Sequence, residues 1–189
     1  MSWLLTWSGK RLDILDPQPE SIHLLDIAHG LANECRFAGQ CRAYYSVAQH
    51  SVTASHLVRR GLALEALLHD AAEAYIKDIP TPLKALLPDY QRIEERLDRV
   101  IRQRFGLPEK HAPEIDEVDL QLLATERRDL MPNDGEWPCL EGVKPLEQRI
   151  SAHSAERAKA SFQQRFLQLA LDHPNPARGI YLRHAEELA

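Results

Sequence analysis

From Asp26 to about residue 172, apolar residues recur at intervals of three and four, and that period confines the chain to helices. Strand-like runs occur only at the front. WLLTW (3–7) and SGKRLDILDP (8–17) flank Ser8-Gly9, where glycine suits a tight turn, and Pro17 ends the second run. The pattern predicts an all-α bundle with a small N-terminal β-hairpin. The 189 residues are read as one domain, with its core over about 20–172 and a C-terminal tail over 173–189.

Punctuation divides the helical stretch. DIAHGLANECRF opens at Asp26 and places Ile27, Leu31, Ala32 and Cys35 on one face. Ser46 and Gln49 fit a capping box, which sets His50 in the first turn of a helix closed by Gly61. The next helix is predicted from about Leu64 to Tyr75, broken by KDIPTP. Thr81 and Pro82 read as the cap and first residue of a short helix. Asp89 is the predicted cap, and Gly106 the stop, of a long helix. EIDEVDLQLLATERRDLM forms another that Pro132 halts. Residues 132–145 read as an irregular loop, and a last helix spans about 146–172, with Pro174 and Pro176 beyond it.

Composition excludes several classes of function. A formal charge of −5 argues against a nucleic-acid polymer as partner. No apolar run approaches the roughly 18–20 residues of a membrane span, and the N-terminus lacks the order of a signal peptide. Three cysteines (Cys35, Cys41, Cys139) without metal-type pairing read as reduced thiols, so the expected location is cytoplasmic.

The informative residues are those that interrupt the apolar stripes. EALLHDAAEAYIKDIPTP (65–82) sets His69, Asp70 and Glu73 among Leu67, Leu68, Ala71 and Ala72. A carboxylate buried there is costly unless it is paired or bound to metal. Taken alone, the dipeptide reads as a satisfied core histidine beside a solvated aspartate. Two further residues change that reading: His50 at the start of the preceding helix, and Asp119 between Ile115, Val118, Leu122 and Leu123 of a later one. Glu126 follows Asp119 by two turns, with Arg127 or Arg128 as its expected salt-bridge partner. His23, His29, His56 and His153 are read as structural or surface residues.

The order His50 … His69-Asp70 … Asp119 resembles the H…HD…D signature of the HD-domain metal-dependent phosphohydrolases. Arg36-Phe37, His69-Asp70-Ala71-Ala72-Glu73 and Asp78-Ile79-Pro80-Thr81-Pro82 are similar to motifs of the small nucleotidase branch that includes the bacterial YfbR 5′-deoxynucleotidase. CRFAGQCRAYYSVAQHS and LLATERRDLM resemble phage-type HD hydrolases, among them dATP triphosphohydrolases. The likeness covers about residues 1–132 and the last long helix. Phe37 stands where the YfbR branch has Trp, which puts sugar selectivity in doubt.

The resemblance implies one divalent ion held by His50, His69, Asp70 and Asp119. This nitrogen and oxygen set suits Mn, Co, Ni or Fe, with Mg or Zn as further options. It implies Glu73 as the carboxylate that activates water, Asp78 as its assistant, and Arg36, Phe37, Lys77 and Thr81 around a nucleotide substrate. It also implies a homodimer. Two reactions stay open: a 5′-(deoxy)nucleotidase releasing phosphate from a monophosphate, placed first, and a dNTP triphosphohydrolase releasing tripolyphosphate. The second needs more cations, for which Arg36, Arg42, Lys77, Lys84, Arg127 and Arg128 are candidates. Outside catalysis, the alternatives are a nucleotide-sensing HD protein and a helical adaptor with surface histidines.

Overall fold

The computed structural model describes residues 2–132 and 135–172; the tail predicted over 173–189 lies outside them. The hairpin forms as expected. β1 (Trp3–Leu5) pairs antiparallel with β2 (Arg11–Asp13), Leu4 opposite Leu12. Asp26 ties it to the bundle by accepting from the Ser8 backbone N–H at 2.6 Å and the Ser8 hydroxyl at 2.8 Å.

The rest is helical: α1 (Leu24–Asn33), α2 (Val47–Leu57), α3 (Ala63–Leu68), α4 (Glu73–Ile76), α5 (Thr81–Lys84), α6 (Pro88–Phe105), α7 (Pro113–Leu130) and α8 (Ala155–Asp172). The molecule is therefore all-α with an N-terminal hairpin. No described helix is long and apolar enough to cross a membrane. Helix α2 packs against α1, α3, α7 and α8, and so sits at the centre. Ile27 and Leu31 of α1, Val47 of α2, Leu64 and Leu67 of α3, and Phe162 and Phe166 of α8 form the buried core. Phe166 meets Phe105 of α6 edge-on at 5.7 Å. A buried ion pair links α3 to α6: Arg102 donates to Glu65 at 2.7 Å, and Glu65 also accepts from the Ala112 N–H at 3.1 Å.

Several boundaries depart from the sequence reading, each for a local reason. Helix α1 starts at Leu24, because Asp26 is engaged with Ser8. Cys35 leaves the helical face to form a β-bridge with Ser46. Helix α2 stops at Leu57, well before Gly61: Val58 turns extended, and the Arg59 N–H is taken by Glu114 of α7 at 2.7 Å. Thr81 is the first residue of α5 and Pro80 its cap. Leu87 caps α6, with Asp89 inside the first turn, while Gly106 ends α6 in the left-handed region as expected (φ 62°). Helix α8 begins only at Ala155. The preceding segment is bound to α7 instead: Asp129 accepts from the Ile150 N–H at 2.9 Å and from Arg149 at 3.1 Å, and Arg128 donates to the carbonyls of Leu146 and Gln148.

The helix predicted over 64–75 is two pieces. Between α3 and α4, the N–H groups of Ala71, Glu73, Ala74 and Tyr75 bond three residues back, to Leu68, Asp70, Ala71 and Ala72. This tightening falls on His69 and Asp70. It turns successive residues by about 120° instead of about 100°.

Candidate metal centre

Four separate pieces of backbone bring the polar residues together. Ser46 caps α2 by accepting the Gln49 N–H at 3.2 Å. The reciprocal half of the capping box is absent, since the Gln49 side chain spans to Ser151 and His153 at 2.8 Å each. The cap fixes the first turn and points the fully buried His50 inward. The tightened turn after α3 supplies His69 and Asp70, α7 supplies Asp119 and Glu126, and the segment before α2 supplies Arg36.

His50, His69 and Asp119 each offer one ligand atom, and these atoms lie within 4.8 Å of one another. The His50 and His69 Nε2 atoms are 3.3 Å apart, and Asp119 Oδ1 is 3.1 Å from His50 Nε2. Asp70 Oδ2 approaches His69 Nε2 at 3.2 Å and His50 Nε2 at 3.6 Å. The structure thus brings together all four residues expected to hold an ion.

The far nitrogens decide what the near ones can do. His69 Nδ1 lies 2.8 Å from the Ala66 carbonyl, which only accepts, so Nδ1 carries the hydrogen. His50 Nδ1 lies 2.6 Å from Glu126 Oε1 and donates to it in the same way. With both Nδ1 atoms donating, the two Nε2 atoms face the same point, where positive charge is needed: a proton on His50 shared with Asp119, or a metal ion that takes its place. Burial and Arg36 work against a proton on His50, but Glu126 and Asp119 outweigh them, and its pKa is pushed up to about 9. Burial likewise opposes charge on Asp119, yet its hydrogen bond to His50 and the nearby imidazoles hold its carboxyl well below the usual range.

Glu126 is fully buried. Its partners are His50 and, through Nε at 3.1 Å, Arg36; neither Arg127 nor Arg128 takes the expected place, and Arg128 is held by Asp129 at 2.7 Å. The signal in sequence was its two-turn spacing from Asp119. Its partner was illegible because Arg36 lies 90 residues away. Arg36 also approaches Asp70 at 3.5 Å and is no surface residue, with 12% of its side chain exposed.

Glu73 opens α4 on the same side. It is buried, and its Oε2 has no hydrogen-bond partner, while Oε1 lies 3.9 Å from the Lys84 ammonium. Burial first, then the charges of Asp70 and Asp78, push its carboxyl well above the ordinary range, against Arg36 and Lys84. Burial raises Asp78 as well, with Arg36 opposing and Asp70 adding. An orphaned oxygen on a buried carboxylate that feels the charges of Asp70 and Asp78 fits a hydrated metal ion, whose water would complete the hydrogen bonding.

The remaining expected residues divide. Phe37 packs beside the Arg36 guanidinium at 5.6 Å. Lys77 does not join the cluster: its side chain is 70% exposed and its ammonium is held by Glu34 at 2.5 Å. Thr81 is exposed at the start of α5. Lys84, weighed in sequence only as one of several cations, is the lysine that faces Glu73.

An all-α protein with a hairpin at its front and a buried histidine–carboxylate cluster at the meeting of α2, α3 and α7 is the class that this architecture defines. No family model matches the chain. It is 47% identical over 172 residues to the uncharacterized protein YfdR of Escherichia coli K12, covering 90% of this chain and 97% of YfdR. It is also 44% identical over 117 residues to an uncharacterized protein of Rhodobacter capsulatus, covering 57% of this chain and 60% of that one. The chain belongs to the YfdR family.

Proposed function

We propose that the protein is a divalent-metal-dependent phosphohydrolase of the HD kind, releasing orthophosphate from a nucleoside 5′-monophosphate. The observation that carries this reading is the convergence of two imidazole Nε2 atoms and the Asp119 carboxylate within 4.8 Å of one another. His50, His69, Asp70 and Asp119 would hold the ion, which when bound supplies Lewis acidity to the phosphoryl group.

The chain's own groups do the rest. Glu73 Oε2 accepts a proton from the water that attacks phosphorus. The bond from phosphorus to the leaving oxygen breaks, and Asp78, whose carboxyl is raised, returns a proton to that oxygen. Arg36 binds the phosphate through the part of its guanidinium not engaged by Glu126.

The placement of cations favours the monophosphate over a triphosphate. Lys77 is held by Glu34, Arg128 is fixed on Asp129, and Arg42 is exposed. At the cluster carboxylates themselves stand Arg36, 3.5 Å from Asp70, and Lys84, which is held by Glu94 at 2.8 Å and lies 3.9 Å from Glu73. A pure sensor would have no use for a buried, unpartnered Glu73. A cytoplasmic homodimer belongs to the same reading.

The test is to strip the protein of metal, add Mn, Co, Ni, Fe or Mg singly, offer NMPs, dNMPs and dNTPs, and identify the phosphorus product. Orthophosphate from monophosphates supports the reading. Tripolyphosphate replaces it with the triphosphohydrolase, and absence of product with every ion refutes it.

A further inference from the structure

We propose that the loop after α7 carries a binding site for the aromatic base of the substrate, with Trp137 as its stacking wall. The inference rests on the nucleotide reading and deepens it.

The loop after α7 runs beside it, and with Arg127 its residues 136–138 and 140–142 line a cavity of about 530 Å³. That size suits a small organic ligand. Its walls are a half-buried indole, the apolar side chains of Pro138 and Leu140, one guanidinium, the backbone of Gly142, and the carboxylates of Glu136 and Glu141, which can accept from the amino groups of a base. The Arg127 Cζ lies 5.5 Å from the centroid of the Trp137 ring. A flat, electron-rich heterocycle is the partner such a surface takes best, because every base offers a π-face to an indole and a guanidinium alike.

A second observation links the cavity to the metal centre. Phe37 and Ala38 both have positive φ, at 56° and 50°, in the left-handed region that non-glycine residues rarely adopt. Two hydrogen bonds close this turn, from the Gly39 N–H to the Arg36 carbonyl at 3.1 Å and from the Gln40 N–H to the Phe37 carbonyl at 3.0 Å. Strain of this kind persists where the surroundings hold it, and it gathers at ligand clamps. Here it places the Phe37 ring 5.6 Å from the Arg36 guanidinium and 6.1 Å from Trp137, inclined at 59°. Arg36, Phe37, Trp137 and Arg127 therefore form a continuous series, two neighbouring rings with a cation at each end. It leads from the residue that meets Asp70 to the cavity. A phosphate held at Arg36 and a base against Trp137 are the two ends of one nucleotide.

The test measures binding of deoxyadenosine, dAMP and 2-deoxyribose 5-phosphate by calorimetry to the full chain, to Trp137→Leu and to Trp137→Phe. The expected result is that deoxyadenosine binds the wild type. Trp137→Leu then weakens deoxyadenosine and dAMP by about tenfold and leaves the sugar phosphate unchanged, while Trp137→Phe, which keeps a ring, retains most of the affinity. Failure of deoxyadenosine to bind the wild type overturns the proposal. So does an equal loss for dAMP and sugar phosphate in Trp137→Leu. Failure of the phosphohydrolase reading looks different: deoxyadenosine binds, but no dNMP is hydrolysed with any ion.

Discussion

A buried carboxylate oxygen without a partner costs about 1–3 kcal/mol or more, and Glu73 keeps one. The histidines are each fixed by a partner: Glu126 serves both His50 and Arg36, and the Ala66 carbonyl fixes His69. The orphaned oxygen of Glu73 is what the proposed reading puts to use as the base. Glu73→Gln is expected to keep affinity for Mn²⁺ and substrate while turnover falls by about 10²–10⁴; steady-state rates beside metal titration decide it, and wild-type turnover excludes Glu73 as the base. The residue scale also shows where sequence reading stops. His69, Asp70 and Glu73 were legible as polar intrusions on an apolar stripe. The Glu126–Arg36 contact was not, because no local spacing encodes a meeting of residues 36 and 126.

Among the elements, the short α4 matters most, since it delivers Glu73. It packs on α1 at Gly30, where an added Cβ would stand 2.5 Å from the Ala74 carbonyl oxygen and 2.8 Å from its Cα. Gly30→Ala gains helix propensity of about 1 kcal/mol, but the clash with backbone has no flexible end to yield. The variant is expected to lower Tm and activity together; a raised Tm with full activity contradicts this packing account. The end of α7 holds a second joint. There Asp129 binds Arg128, Arg149 and the Ile150 N–H, and these partners, Arg128 foremost, hold its carboxyl below the ordinary range against a smaller opposing effect of burial. A carboxylate with a depressed folded pKa stabilises above its unfolded value, about 3.9, and that stability is lost as pH falls through the folded pKa. Wild type is thus expected to exceed Asp129→Asn in urea stability at pH 7, with the gap closing below about pH 4. A constant gap across that range argues against the latch. The long helices α6 and α7 were readable from period and punctuation. The split of residues 64–75 and the late start of α8 were not, because three-residue hydrogen bonds and the grip of Asp129 on residue 150 are tertiary effects that leave the apolar period intact.

At the scale of the whole molecule, the bundle works as a frame. Helix α2 is held by α1, α3, α7 and α8, so its first turn is the least movable place to seat His50. Around it, α3 and α7 contribute one side of the cluster each, and residues distant in sequence converge without a long flexible loop. The fold class was legible because helical periodicity runs through most of the chain. The candidate ligands were legible because they break it. The central claim is that His50, His69, Asp70 and Asp119 hold one divalent ion, with Glu126 orienting His50. Its most direct test is Mn²⁺ binding to the metal-stripped protein, followed by calorimetry. The expected result is one ion per chain, lost in His69→Ala and in Asp119→Ala, and weakened by about 10–100-fold in Glu126→Ala, as for a group that orients a ligand. Full-affinity binding in His69→Ala, or no binding by the wild type with Mn²⁺ or any other divalent ion, contradicts the account.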